Sequence, residues 1–379
     1  MIVSTFLTDF SNATIIFLFT LIIGQTATTI WLTLLWAGYY GGSFISHLLM
    51  GSYIDRIQSR RLMIGSESAR LLIILALVIS GDSRSSALIV LCATSLGFVE
   101  PIFHPAEVRL LTELFTEAEM TRVNAILELS DQSMTIVGPI SATLLMSFLN
   151  SQASLLMLAI VLTVSVLVTL QMPPNKVAPL PSQSGLKAVN QALNTFRHSH
   201  KLLQSAGLMF VLNVFFVGAV MPVLLKFVQS LGSHAEFNYT FLTVIQAVGL
   251  ILMATWLTQH KMHVQNLLNR NLLTVLAIAV LLLFVSLSTQ INTLALLFLL
   301  IGSFSAIFDV ENNLLFQTAS PHAEIGRMYV FKGLINVGSI TFGTLLSGFV
   351  LHWLSVQQLY SSCAILLIIS SLMMLHRTD

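Results

Sequence analysis

Charge is what this sequence has least of. Asp, Glu, Lys and Arg make up 9% of its 379 residues, against 55% hydrophobic residues. Soluble domains carry about a quarter charged residues, so a mean hydropathy of +0.87 excludes a soluble globular chain. Cysteine is nearly absent: Cys92 and Cys363 both lie in apolar runs, which leaves no disulfide framework and no thiolate metal cluster. A Gly-x-x-x-x-Gly-Lys-[Ser/Thr] phosphate loop and a His-Glu-x-x-His pair are both missing, which disfavours an ATP-driven pump and an intramembrane metalloprotease. No cofactor, no metal and no nucleic-acid partner is expected. The opening residues "MIVSTFLTDF" carry no basic lead and run straight into the first apolar segment, unlike a secretory leader.

What the sequence does have is a succession of uncharged runs of about twenty residues, each long enough to cross a hydrocarbon layer of about 30 Å as a helix. Hydropathy and Gly/Pro punctuation place helices near 1–26, 30–52, 62–80, 86–108, 122–149, 153–172, 203–228, 237–258, 270–288, 293–317, 327–350 and 353–375. The longest polar break, "PPNKVAPLPSQSGLKAVNQALNTFRHSHK", divides six spans from six. The expected domains are an N-terminal six-helix bundle, 1–172, a cytoplasmic linker, 173–202, and a C-terminal six-helix bundle, 203–379. Thirteen Lys and Arg residues fall on the N-terminal side of the bilayer, against two, Arg84 and Lys226, on the other. By the positive-inside rule both termini are cytoplasmic, in a plasma (bacterial inner) membrane.

The chain repeats itself. A shift of 205 residues lays "GFVEPIFHPAEVRLLTELFTEAEMTR" over "GSFSAIFDVENNLLFQTASPHAEIGR", with Gly97/Gly302, Phe103/Phe308, Leu110/Leu315, Glu119/Glu324, Arg122/Arg327 and Gly138/Gly343 coinciding. Spans four and five thus match spans ten and eleven in the same orientation. Such parallel repeats are an architecture that places a substrate site between the two halves, near the bilayer midplane.

Between spans two and three, "GSYIDRIQSRR" concentrates charge that is scarce elsewhere. It resembles the Gly-x-x-x-Asp-Arg-x-x-x-Arg-Arg motif of the major facilitator superfamily, and the resemblance extends over essentially the whole chain. Gln58 and Ser59 depart from the Gly-Arg common in that motif, and its second copy around "TQHKMHVQNLLNR" is degenerate. "GFVEPIFHPAEVRLL" through "RVNAILELSDQSMTIVGP", with Gly138 and Pro139, is similar to the branch containing macrolide and siderophore exporters. Ala142-Thr143 stands where that branch often has Gly-Gly. The resemblance implies an all-α membrane protein of twelve transmembrane helices in two pseudo-symmetric bundles. It also implies a cytoplasmic gate built from Gly51, Asp55, Arg56, Arg60 and Arg61. A plain reading of the same arginines is that they set topology.

Acids inside spans cost about 2.5–3.5 kcal/mol each on insertion scales and usually face a cavity or a partner. Asp9 falls in span one, Glu100 in span four, Glu128 and Asp131 in span five, Asp309 and Glu311 in span ten. Glu100 and His104, four apart, share a face. Thr5, Asp9 and Asn12 form a polar stripe in span one; Asn124, Glu128, Asp131 and Thr135 form another in span five. At about 1.5 Å per residue, Asp9, Glu100 and Asp131 come out roughly 12–14 Å from their cytoplasmic helix ends, so they are expected to meet in one acidic chamber. The repeat aligns His104 with Asp309, while Glu311 lies about 200° further round and is read as structural. Glu67 and Arg70, three apart, are read as a local ion pair. The expected proton-coupling or substrate-cavity residues are therefore Asp9, Glu100, His104, Glu128, Asp131 and Asp309.

These residues point to a monomeric secondary transporter, not an enzyme, that exchanges protons for a small amphipathic compound, drug or metallophore by alternating access. Its expected partners are a small-molecule substrate, protons and the lipid bilayer. A lysophospholipid flippase, an uptake carrier of the same fold, and a transporter-like receptor or membrane subunit that moves nothing stay open.

Overall fold

The computed structural model describes residues 2–26, 28–54, 57–81, 85–114, 117–172, 193, 199–232, 234–259, 266–320 and 325–375. All regular structure among them is helical. In order the elements are α1 (Ile2–Thr26), α2 (Thr29–Ile54), α3 (Ser59–Ile79), α4 (Ser86–Val99), α5 (Phe103–Leu114), α6 (Glu117–Phe148) and α7 (Ser151–Leu170). There follow α8 (His200–Leu212), α9 (Leu224–Leu231), α10 (Ala235–Gln259), α11 (Leu267–Leu287), α12 (Ile291–Ala319), α13 (Ile325–Val350) and α14 (Val356–Leu375). Two rods are interrupted. A single 3-10 turn, Glu100–Ile102, joins α4 to α5, and a π-helical turn, Asn213–Gly218, with a 3-10 turn, Met221–Val223, joins α8 to α9. Counting each as one, twelve rods are described, and ten are long and apolar enough to cross a membrane. The other two, α2 and α6, are of similar length; α2 carries no Asp, Glu, Lys or Arg, whereas α6 carries several.

Proline explains both interruptions. Pro101 and Pro222 each lack an amide N–H and crowd the preceding turn, so the ladder is rewound locally. The polar segment between spans four and five is largely helical: α5 continues to Leu114 and α6 begins at Glu117. The helices run on past the apolar stretch that hydropathy registers. Most of 173–202 lies outside the described residues, and α8 begins within it at His200.

The chain falls into two units, 1–31 with 38–186, and 32–37 with 187–379. In the first, α1 packs against α6 and α7, and α3 against α4, α5 and α7; in the second, α13 packs on the π-helical turn and α8, α10 on α12, and α11 on α12 and α14. Leu18, Phe19, Leu21 and Ile23 are fully buried in the second half of α1, whereas Leu91, Phe148, Ile160 and Leu287 are exposed. Exposed apolar side chains suit a surface bathed in lipid tails.

Lipid offers helices no hydrophobic reason to associate, so close packing at small residues must hold them. The repeat glycines sit at these crossings. Gly97 lies on the main chain of Tyr39 in α2, and Gly302 on that of Gln246 in α10; Gly138 lies on Ala13 of α1, and Gly343 on Val214. A Cβ at any of the four would overlap backbone. Gly97→Val and Gly302→Val should each lower stability by about 1–3 kcal/mol or more, read as a lower thermal midpoint of the purified protein. Gly65→Ala, where an added Cβ meets nothing within 4 Å, should be neutral or slightly stabilising. Equal midpoints for all three variants would remove the crossing role.

Candidate functional site

The polar stripe of α1 turns toward α5 and α6. Thr5 Oγ1 donates to Glu107 Oε1 in a very short contact, Asn12 Nδ2 donates to Glu100 Oε1 at 3.4 Å, and Ser130 Oγ donates to Asp9 Oδ2 at 3.1 Å. His104 stands between two of these acids. Its Nε2 is 3.5 Å from Asp9 Oδ1 and its Nδ1 is 3.3 Å from Glu107 Oε2. Asp9 and Glu107 are buried, at 4% and 2% exposure, while 41% of the His104 side chain is open. Together with Glu100 and Asp131 they line a cavity of about 550 Å³ within the first unit. Glu100, His104 and Glu107, spaced four and three residues apart, share one face of the rod.

An imidazole held between two carboxylates can do specific chemistry. Neutral, it donates from one nitrogen and accepts at the other; protonated, it donates from both, one to each acid. It can therefore pass a proton between Asp9 and Glu107 by a change of tautomer. Beneath this cluster the expected local ion pair is present. Arg70 Nη1 meets Glu67 Oε1 at 2.6 Å, Thr8 Oγ1 donates to the same oxygen at 2.8 Å, and Arg70 Nη2 donates to the Thr8 carbonyl at 3.3 Å. Both charges are fully buried. The pair clamps α3 to α1 one residue from Asp9.

The second unit holds a smaller cavity, about 290 Å³, lined by Met209, Asn213, Asp309, Asn313, Lys332 and Asn336 among others. It is the repeat counterpart of the first. The shift of 205 carries His104 to Asp309, Glu107 to Asn312, Val108 to Asn313, Leu127 to Lys332 and Asp131 to Asn336; a shift of 200 carries Thr5 to Ser205 and Asp9 to Met209. Even a hydrogen bond is repeated, since Ser205 Oγ donates to Asn312 Oδ1 as Thr5 does to Glu107. Lys332 donates to Asn313 Oδ1 in a very short contact, and Asn213 Nδ2 donates to Asn336 Oδ1 at 2.6 Å.

Of the residues expected from sequence, Asp9, Glu100, His104 and Asp131 are brought together, and Asp309 lines the counterpart cavity. Glu128 lies on α6, but its side chain is outside the described residues, as are Asp55 and Arg56. Gly51 is in the last turn of α2 and Arg61 is exposed. Arg60 donates to the Leu170 carbonyl at the C-terminus of α7, where a cation complements the helix dipole. Gly138 and the neighbouring Pro139 are buried at the crossing of α1 and α6. Glu311 is fully buried against Arg270 of α11, in a close ion pair away from the cavity. Sequence reasoning missed Glu107, three residues after His104, and Lys332, which stands in an otherwise apolar span.

The comparisons with known proteins agree with this architecture. The Major Facilitator Superfamily profile matches residues 1–331. A mutant of the nucleoside transporter NupG is similar in structure, with a TM-score of 0.77 at 14% identity over 98% of each chain. So is a POT family transporter in complex with a thioalcohol-conjugated peptide, with 0.76 at 12% over 100% of this chain and 95% of that one. A D-xylose–proton symporter gives 0.75 at 11% over 98% and 95%. A sequence search of curated proteins gives no match. Twelve helical rods in two repeated units, with a family profile spanning both, make the chain a member of the Major Facilitator Superfamily, and hence a membrane transporter.

Proposed function

We propose that this transporter is driven by protons, which Asp9, His104 and Glu107 take up and release, with Glu100 and Asp131 on the wall of the same cavity. One observation carries the reading: an imidazole within 3.5 Å of two buried carboxylates in a chamber rich in acids. Net charge is tolerated in a cavity filled with water and is costly in one closed against it. The protonation state of the cluster therefore biases which conformation is favoured, and a ligand with different affinity for the two conformations becomes coupled to the proton. The D-xylose–proton symporter among the similar structures supports a proton as the driving ion.

Export of a small amphipathic compound is our reading of direction, on the resemblance of the segment ending at Gly138-Pro139 to exporters. The same symporter favours a second reading, uptake, because a symporter carries proton and substrate the same way. The distribution of Lys and Arg supports cytoplasmic termini in a plasma membrane.

Two measurements test this. On a solid-supported membrane, a pH jump without substrate should move charge in the parent protein. Asp9→Asn, His104→Gln and Glu107→Gln should each reduce that transient to the level of protein-free vesicles while purifying as well as the parent. Unchanged transients in all three would end the proton reading. In proteoliposomes, an inward proton gradient should drive the substrate outward for an exchanger and inward for a symporter. Inward movement would overturn export and leave proton coupling in place.

A further inference from the structure

Divergence between the two cavities says more than their likeness. At matched positions the first unit has Asp9, His104, Glu107 and Asp131, and the second has Met209, Asp309, Asn312 and Asn336, with Lys332 in place of Leu127. A group of proton acceptors has been replaced by one carboxylate, one ammonium and a set of amides. We infer that the second-unit cavity is a recognition pocket for a small zwitterion carrying an ammonium and a carboxylate on one apolar skeleton, with Asp309 taking the cation and Lys332 with Asn313 taking the anion. This names a substrate class, and it rests on the transporter reading above.

The existing bonds fix which groups face a ligand. Lys332 Nζ is held by Asn313 Oδ1 and sits 5.2 Å from the Phe316 ring centroid, so its position is set before anything enters. Because the Asn313 oxygen is engaged by Lys332, the Asn313 amide presents its NH₂ beside the ammonium, and both are donors suited to a carboxylate. Asn213 and Asn336 satisfy one another at 2.6 Å, and Asn312 accepts from Ser205, so these amides are oriented rather than free to rotate. Asp309 is the one carboxylate on the lining among the described residues, and it shares that lining with Lys332. Met209 and Phe308 supply apolar wall. About 290 Å³ suits a ligand of amino-acid size, near the lower end of small-molecule sites.

A merely structural pair would be expected to look like its neighbour on the same helix. Glu311, two residues on, is fully buried and closed by Arg270. Asp309 and Lys332 instead line open space, as paired groups do when a ligand is meant to come between them.

The test is equilibrium binding to the purified full chain in lipid nanodiscs, with no proton gradient, using radiolabelled L-phenylalanine and L-leucine. Phenethylamine and 3-phenylpropanoate, each carrying one of the two charges, serve as competitors. The zwitterions should bind at least about tenfold more tightly than either single-charge analogue competes. Asp309→Asn should abolish the advantage over 3-phenylpropanoate, Lys332→Met should abolish the advantage over phenethylamine, and the swapped double variant D309K/K332D should recover zwitterion binding. Absence of zwitterion binding in the parent overturns the proposal, and so does undiminished binding in both single variants. The Asp9→Asn protein separates the two readings. Binding kept with the pH-jump transient lost supports both, and zwitterion binding absent from a parent whose transient is intact sinks this inference alone.

Discussion

In the first unit everything turns on keeping α1 pressed against α5 and α6. Asp9 is buried in a helix that sits in the membrane, and it is tolerable there only because Ser130 and His104 reach it. Those contacts need the helix axes close together. Gly138 on Ala13 brings them close about one turn from Asp9, and the buried Glu67–Arg70 pair with Thr8 fixes α1 from the α3 side. A methyl group added at Gly138 would act on the Asp9–His104–Glu107 cluster without touching it.

The repeat separates what the fold requires from what the chemistry requires. Glycines at the crossings, the hydroxyl of Thr5 or Ser205 on its acceptor, and a cavity at the same place occur in both copies. Most ionisable groups do not: of Asp9, His104, Glu107 and Asp131, His104 alone has an ionisable counterpart, Asp309. Backbone approach is a constraint on shape that both units share, whereas charge inside a membrane costs too much to be kept without use.

Much of this was legible in the sequence because a membrane simplifies the problem. Apolar runs give the rods, and a charge within one stands out. Asp9, Glu100, His104 and Asp131 were found that way and do line one cavity. Glu107 went unnamed because the expected span four ended at 108, one residue beyond it; the helix in fact continues to Leu114 and holds Glu107 inside the packing. Lys332 escaped because the charges sought within spans were acids. Helical spacing puts Glu107 on the face of His104, but that His104 also reaches Asp9 depends on where α1 is placed, which no spacing rule supplies. Direction and cargo were not legible, because the same rods serve either flow.

Asp309 and Glu311 show how far helical geometry alone can carry such a reading. They are two residues apart in α12, about 200° round the helix, so one can face a cavity only if the other faces a neighbour. Geometry did not say which. The partner decides it: Arg270, in the first turn of α11, reaches Glu311, and no apolar packing could compensate a buried carboxylate as that guanidinium does. With Glu311 committed to α11, the opposite face of α12 is left for Asp309, Asn312 and Asn313. Arg270 thus engages the Glu311 face of α12 while Asp309, on the other side, lines the second cavity.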